Sequence, residues 1–332
     1  MAERTLMSSK TRLAQAYYDL AVMLDAGMPI LRSLDIMIQG RTGQLKQVFS
    51  RIRESLSKGS SLAEAMGKHR NVFPDMDRML IEAAETAGSL NDSFKMLSQW
   101  HEFLHRITRR IRMGLIYPLL ILHIGAFVYG FPNFILGKTT SWAYLSQVLQ
   151  ILLLFYIPAA IVVLLMRLRD RVSGIAIPFD FLALRIPILG TAIYHLSICR
   201  YAKAFGMLYK VGVPISETTE RATRATGNVV VARMFQGGFA SVRQGGMAWE
   251  GFSKRLPPEY LQLWQIGEES GELDKTVDKI AEISGDRADL WFTQFAFWMP
   301  WFVYVFIAGI MVVMIFKLFS QVYGPILNEL PV

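Results

Sequence analysis

The sequence is poor in cysteine and in charge. Cys199 is the only cysteine in 332 residues, which excludes an internal disulfide framework and any cysteine-built zinc site. The five histidines are scattered. His101 and His105 stand four apart on one helical stretch, but no cysteine completes a ligand set and Glu102 points to another side. Charged residues make up 19% of the chain, against roughly 25% in a typical soluble domain. Period-two alternation of β-branched and aromatic residues is also missing, so no strand is expected. There is no Gly-x-x-x-x-Gly-Lys-Ser/Thr phosphate loop, no His-Glu-x-x-His and no Gly-x-Ser-x-Gly. Glu268 and Glu269 are adjacent, so they diverge on a helix and cannot form a facing acid/base pair. No enzyme activity, cofactor or metal is therefore expected.

What is abundant is apolar. Hydrophobic residues reach 52% and the mean hydropathy is +0.31. Three runs lack any charge, at 114–137, 139–166 and 290–316, and each meets the ~20 residues that a membrane helix needs. Pro118, Pro158 and Pro300 lie inside them, and Trp291, Trp298 and Trp301 mark the entry of the third as an interfacial belt. Ion and proton pathways usually carry carboxylates or Lys/Arg inside the spans. Their absence counts against a transporter, and His123 reads as a packed or interfacial histidine.

The formal charge of +8 reads as topology rather than nucleic-acid binding. Arg106, Arg109, Arg110 and Arg112 precede the first run; Arg167, Arg169 and Arg171 follow the second. Lys138 alone lies between. The Lys/Arg excess marks the cytoplasmic side, with an anionic-lipid patch as a second reading of the first cluster. No cleavable signal precedes the first span, so the N-terminus is expected in the cytoplasm and the C-terminus outside, with Lys317 snorkelling to the interface.

The chain repeats itself. Trp264-Gln-Ile-Gly-Glu-Glu-Ser-Gly-Glu-Leu-Asp274 has a weaker copy at Ala84-Glu-Thr-Ala-Gly-Ser-Leu-Asn91. Glu85, Gly88 and Leu90 match Glu268, Gly271 and Leu273. Gly27-Met-Pro29 matches Gly212-Val-Pro214, Phe73-Pro74 matches Leu256-Pro257, and Pro118 matches Pro300. Matches that hold register over half a chain indicate duplication. Helical periodicity, Gly and Pro punctuation and a Ser61/Glu64 capping-box pattern give each half about six helices, the last continuous with a span. The expected fold is all-α: a polytopic membrane protein with three transmembrane helices and two duplicated cytoplasmic six-helix bundles. Its segments are a first bundle at 1–113, spans at 114–137 and 145–166 around an outer loop at 138–144, a linker of mixed character at 167–195, a second bundle at 196–290, a third span at 291–318 and a periplasmic tail at 319–332.

Leu208-Tyr-Lys-Val-Gly212-Val-Pro214-Ile, Ile186-Pro-Ile-Leu-Gly190 and Gly267-Glu-Glu-Ser-Gly271-Glu-Leu273-Asp274 together resemble the inner-membrane platform proteins of type IV pilus and type II secretion machines (the PilC/GspF family). The resemblance covers nearly the whole chain. The first half departs from it, with Ala84 where that family prefers Gly and Asn91 where it prefers Asp, and the N-terminus is shorter than in many members. These departures lean toward the branch serving type IVb pili. The resemblance implies a scaffold in the bacterial inner membrane that couples a cytoplasmic hexameric ATPase to pilin extraction, or the equivalent platform of a secretion pseudopilus. Pilins or pseudopilins and other inner-membrane assembly proteins are the implied partners. The duplicated bundles can pair across a two-fold, so a homo-oligomer such as a dimer is expected.

Within the repeated turn, Glu268, Glu269, Glu272 and Asp274 concentrate acidic charge. One reading is a well-capped turn, with Gly271 supplying the permissive backbone and Glu272 and Asp274 placed where the helix dipole favours them. The other is a partner-contact surface built on Glu85, Gly88, Leu90, Gly267, Glu268, Glu269, Gly271, Leu273 and Asp274. On the second reading, charge reversal at Glu268 and Glu269 abolishes filament assembly and leaves the chain inserted. Gly27, Pro29, Gly212 and Pro214 read as turn formers.

Overall fold

The computed structural model describes residues 9–169 and 173–328, and every regular element among them is helical. The first bundle comprises α1 (Ser9–Asp25), α2 (Ile30–Gln39), α3 (Gln44–Ser57), α4 (Leu62–Gly67), α5 (Asp75–Ala87) and the start of α6 (Leu90–Ile135). α7 (Ser141–Arg169) and α8 (Ser173–Arg185) follow. The second bundle comprises α9 (Leu189–Lys210), α10 (Ile215–Ala225), α11 (Val229–Arg243), a 3-10 turn (Ala248–Gly251), α12 (Pro258–Ser270) and the start of α13 (Leu273–Asn328). By compactness the chain forms two units. One holds both bundles, up to residue 108 and from 190 to 289; the other holds 109–189 and the chain from 290 onward.

The duplication is visible in the punctuation. Pro29 and Pro214 stand at the N-caps of α2 and α10, and Pro74 and Pro257 at those of α5 and α12, all with extended ψ. Proline fixes φ and lacks an N–H that a helix start would leave orphaned anyway. The two cores, however, are filled differently. Around Tyr17, Leu34, Ile52, Leu80 and Phe94, the first bundle buries a polar triad. The Tyr17 hydroxyl donates to Asp77 Oδ2 at 2.7 Å, and His101 Nε2 reaches the same oxygen at 2.6 Å. Burial and the Asp77 charge hold the Tyr17 phenol well above its ordinary range. The second bundle instead packs aromatics, with Tyr201 stacked on Phe235 at 3.7 Å and Trp264 edge-on to Phe205 and Phe252.

Sequence and structure differ at the 167–195 segment. Its described residues are mostly helix: α8 occupies 173–185, and α9 begins at Leu189, well before the expected bundle start at 196. α8 stops at Arg185 because Ile186 precedes Pro187, which disfavours the α region. Ile188 then takes φ +65°, an uncommon conformation for a β-branched residue, and the Leu189 N–H bonds back to the Pro187 carbonyl at 2.7 Å. By composition α8 and α9 together resemble a broken span, but α9 buries its apolar surface in the bundle core. Arg171 and the last four residues of the tail lie outside the described residues.

In the second unit, α6 and α7 are long and apolar enough to cross a membrane, and only 6% of the most apolar stretch of α7 is buried. Such a surface faces lipid or another apolar helix. α13 carries the third apolar run without a break, and Phe302, Val305, Val313 and Phe316 on it are exposed. Within α6, His123 Nδ1 donates to the Leu119 carbonyl at 2.7 Å. Polar contacts link the first two spans: the Tyr156 hydroxyl reaches His123 Nε2 at 3.3 Å, and the Tyr144 hydroxyl donates to the Phe127 carbonyl at 2.8 Å. His123 thus joins α6 to α7, in keeping with a packed histidine. At Gly114 a Cβ would overlap the Ala296 side chain, so α6 and α13 touch there at backbone distance.

Candidate functional site

The repeated turn ends the fifth helix of each bundle. Gly88 closes α5 and Gly271 closes α12, both left-handed at φ +71° and +73°, a conformation that costs most other residues roughly 1–2 kcal/mol. One turn upstream stand Glu85 and Glu268, and their carboxylates turn back into the bundle. Glu85 Oε1 and Oε2 accept the N–H groups of Leu62 and Ala63 at 2.8 and 3.2 Å. Glu268 does the same for Ala248 and Trp249 at 2.8 and 2.9 Å. These amides open α4 and the 3-10 turn, where the first N–H groups of a helix have no intrahelical partner and a negative charge is favoured.

Each glutamate therefore staples the fifth helix to the start of the fourth element, across 23 residues in one bundle and 20 in the other. The local caps fill in around it. Ser61 Oγ accepts the Glu64 N–H at 3.1 Å, and the Met247 N–H donates to Glu250 Oε2 at 3.1 Å. Burial raises the Glu268 carboxyl above its ordinary value, against the pull of the Trp249 and Ala248 amides.

The rest of the motif divides by direction. Gly267 and Leu273 are buried. Glu269 is exposed and takes a hydrogen bond from Gln265 at 2.8 Å. Glu272 is exposed and pairs with Lys275, while Asp274 sits half-buried in the first turn of α13. The acidic cluster thus has an inward member, Glu268, with a defined structural job, and an outward edge at Glu269 and Glu272. Gly27 and Gly212 take φ +79° and +85°, as turn formers do.

A Cβ on Gly267 would overlap the Thr276 hydroxyl. In the first bundle Ala84 occupies that position, fully buried, and Ser93 stands at the register position of Thr276. The second departure is compensated nearby: Asn91 donates through Nδ2 to Asp25 Oδ1 at 2.8 Å. The second-bundle counterpart of Asp25 is Lys210, which pairs with Asp278. An aspartate at 91 would face Asp25 charge to charge; an asparagine bonds to it.

No group of three His, Cys, Asp or Glu side chains among the described residues has metal-holding geometry, and His101 turns into the core onto Asp77. Two features escaped the sequence reading. One is the Tyr17–Asp77–His101 triad, whose aspartate sits in an acidic first turn that looks solvated. The other is a cleft of about 440 Å³ between the bundles, where Trp100 and Phe103 meet Lys203 and Met207.

The description "Type II secretion system (T2SS), protein F" matches the chain twice, at residues 16–136 and 201–319. The two matches coincide with the two halves of the duplication. Among relatives, a type IV pilus assembly protein PilC of Pseudomonas aeruginosa is 27% identical over 296 residues, covering 81% of this chain and 78% of its own. A type II secretion system protein F of Xanthomonas campestris pv. campestris is 27% identical over 291 residues, covering 81% and 72%. A PilC of Thermus thermophilus is 25% identical over 296 residues, covering 81% and 71%.

Proposed function

Because the chain belongs to the type II secretion system protein F family, we propose that it is the inner-membrane platform of a type IV pilus assembly machine. In this reading it couples a cytoplasmic hexameric ATPase to pilin extraction and filament polymerisation, and it performs no reaction itself. Both bundles and the N-terminus lie in the cytoplasm, and the C-terminus lies on the outer side. The Arg106, Arg109, Arg110 and Arg112 cluster supports that orientation.

The observation that carries the reading is continuity. In each half the stapled turn opens a helix, α6 or α13, that contributes to the bundle and runs unbroken into an apolar stretch. A push delivered to the bundle is then carried toward the membrane along a helix continuous in sequence with the apolar stretch. The exposed Glu269 and Glu272, next to the start of that helix, are the acidic contact on which the motor acts. The platform of a type II secretion pseudopilus is the second reading, and the Xanthomonas relative, as similar as the Pseudomonas PilC, favours it.

The test is a tagged chain in its native host, lightly cross-linked, solubilised in mild detergent and resolved by mass spectrometry. Recovery of a hexameric ATPase with pilin-like subunits is expected, and the identity of the subunits separates pilus from pseudopilus. Recovery of a solute-binding protein, or of no motor, refutes the platform reading.

A further inference from the structure

Four cations of the first bundle are neutralised where they stand: Arg41 by Asp19, Arg53 by Asp35, Lys58 by Glu54 and Arg78 by Asp75. Arg51, Lys68 and Arg70 have no such partner among the described residues. All three are exposed, and they converge on one pocket of about 450 Å³, between the start of α3 and the loop that joins α4 to α5. No aspartate or glutamate lines it. His69, in the same lining, registers the field. Burial first, then repulsion by Arg51 and by Lys68, hold its imidazole below the ordinary value. Lys68 and Arg70 follow the C-terminal end of α4, a place that favours cations in any case. Arg51 does not: it comes from the second turn of α3. The first turn of that helix lines the same pocket through Gln44 and Gln47. Its free N–H groups have no capping side chain, since Gly43 stands at the N-cap.

The second bundle shows that this pocket is not a by-product of the architecture. Leu45, Phe49 and Ile52 of α3 are buried where Val231, Phe235 and Gly238 of α11 are. The two glutamate staples hold the N–H groups of Leu62 and Ala63, and of Ala248 and Trp249, in the same register. In that register Arg51 corresponds to Gly237. There α11 lies on the 3-10 turn at backbone distance, and a Cβ on Gly237 would overlap the Gly251 carbonyl. Asn228 caps α11 with its side chain, accepting the Val230 and Val231 N–H groups at 3.0 and 3.1 Å. Lys68 corresponds to Lys254. Four residues, 69–72, then lead to Phe73 in the first bundle, whereas Arg255 alone leads to Leu256 in the second. The first bundle thus has a longer basic loop, an uncapped helix start and an arginine where its copy is closed.

We propose that this pocket binds the phosphate groups of a small soluble compound, a di- or triphosphate. Three uncompensated cations suit an anion with two or more negative charges. Guanidinium groups take phosphate oxygens two at a time, and the side-chain amides of Gln44, Gln47 and Asn71 add neutral donors. A lipid would find no seat for its acyl chains, because the apolar lining is limited to Val48, which is buried, and Val72, which is half-buried. The site does not depend on which machine the chain serves.

Isothermal titration calorimetry of the full chain in mild detergent tests this, with inorganic pyrophosphate as the probe and sodium chloride holding the ionic strength constant. Saturable binding at a single site is expected. Arg51→Gln and Lys68→Gln are each expected to weaken it about tenfold or more, the scale of one charge-assisted hydrogen bond. Both side chains are exposed, so the thermal midpoint without ligand is expected to stay in place while its rise with pyrophosphate is lost. Lys254→Gln with Arg255→Gln, in the second bundle, is expected to change nothing. The proposal is overturned if millimolar pyrophosphate gives no saturable heat, or if the Arg51→Gln, Lys68→Gln double variant binds as the parent does. It is overturned equally if sulfate binds as tightly. Loss of pyrophosphate binding when phosphatidylglycerol replaces phosphatidylcholine in nanodiscs also overturns it, since a lipid headgroup is then the occupant.

Discussion

Replacing Glu268 with alanine separates the two roles open to the repeated turn. The substitution leaves the N–H groups of Ala248 and Trp249 without their acceptor. A buried donor left unpaired costs about 1–3 kcal/mol. Glu268 is only half-buried, so water enters and the lower end applies, about 1 kcal/mol per donor and about 2 kcal/mol in all. Losing an ordinary N-cap costs about 1 kcal/mol, which agrees for one bond of the two. At ~1.4 kcal/mol per tenfold, the 3-10 turn opens about 30-fold more often. Hydrogen exchange with mass spectrometry on the full chain in detergent reads this directly: the peptide holding Ala248 and Trp249 is expected to exchange about 30-fold faster, with the first bundle unchanged. Glu85→Ala mirrors the effect at Leu62 and Ala63. Unchanged exchange together with lost filament assembly would refute the staple and make Glu268 a contact residue. For the same reason, charge reversal at both Glu268 and Glu269 confounds two effects. Reversal at Glu269 and Glu272 alone probes the outward edge.

Gly267→Ala is expected to destabilise the second bundle by about 1–3 kcal/mol through overpacking, and Thr276→Ala, which removes the hydroxyl a Cβ at 267 would meet, is expected to recover most of it on that background; denaturation monitored by tryptophan fluorescence checks this, and additive losses would refute the pairing. His195 is held below its ordinary value first by burial and then by Arg287, against Glu259, and its Nδ1 lies 3.3 Å from the Tyr260 hydroxyl. A depressed histidine leaves the unfolded chain binding the proton more tightly, so stability is expected to fall as pH drops below about 6.5. His195→Phe should flatten that part of the melting-temperature profile. Gly114→Leu is expected to leave the chain inserted but to part α6 from α13; loss of a disulfide engineered across that contact measures it, and an unchanged yield counts against the close approach.

Much of the fold was legible because duplication doubles each signal. A single Gly-x-Pro is a weak turn marker, but Gly27 and Pro29 paired with Gly212 and Pro214 fix the helix ends in both halves. The apolar runs and the helices continuous with them were equally plain. The 167–195 segment read only as a linker of mixed character, whereas Pro178 lies inside α8 and Pro187 follows its end. The site was half legible. The turn could be found, but the direction of Glu268 could not, since its acceptor role depends on amides 19 and 20 residues away. Asp77 was hidden for a related reason. The residues that bury it, Tyr17 and His101, come from α1 and α6, and no local pattern joins them.

The unbroken run of α6 also bears on how the protein is made. Phe94, Leu97, Trp100 and His101 complete the core of the first bundle, and the same helix goes on to carry the first apolar run. Until those residues leave the ribosome, the five preceding helices lack a wall, and Tyr17 and Leu80 stay in contact with water. The next segment to emerge is already the membrane anchor. Closure of the bundle and delivery to the insertion machinery are consecutive events along one rod, so a nascent chain paused before residue 90 is a substrate for chaperones rather than a folded domain awaiting its anchor.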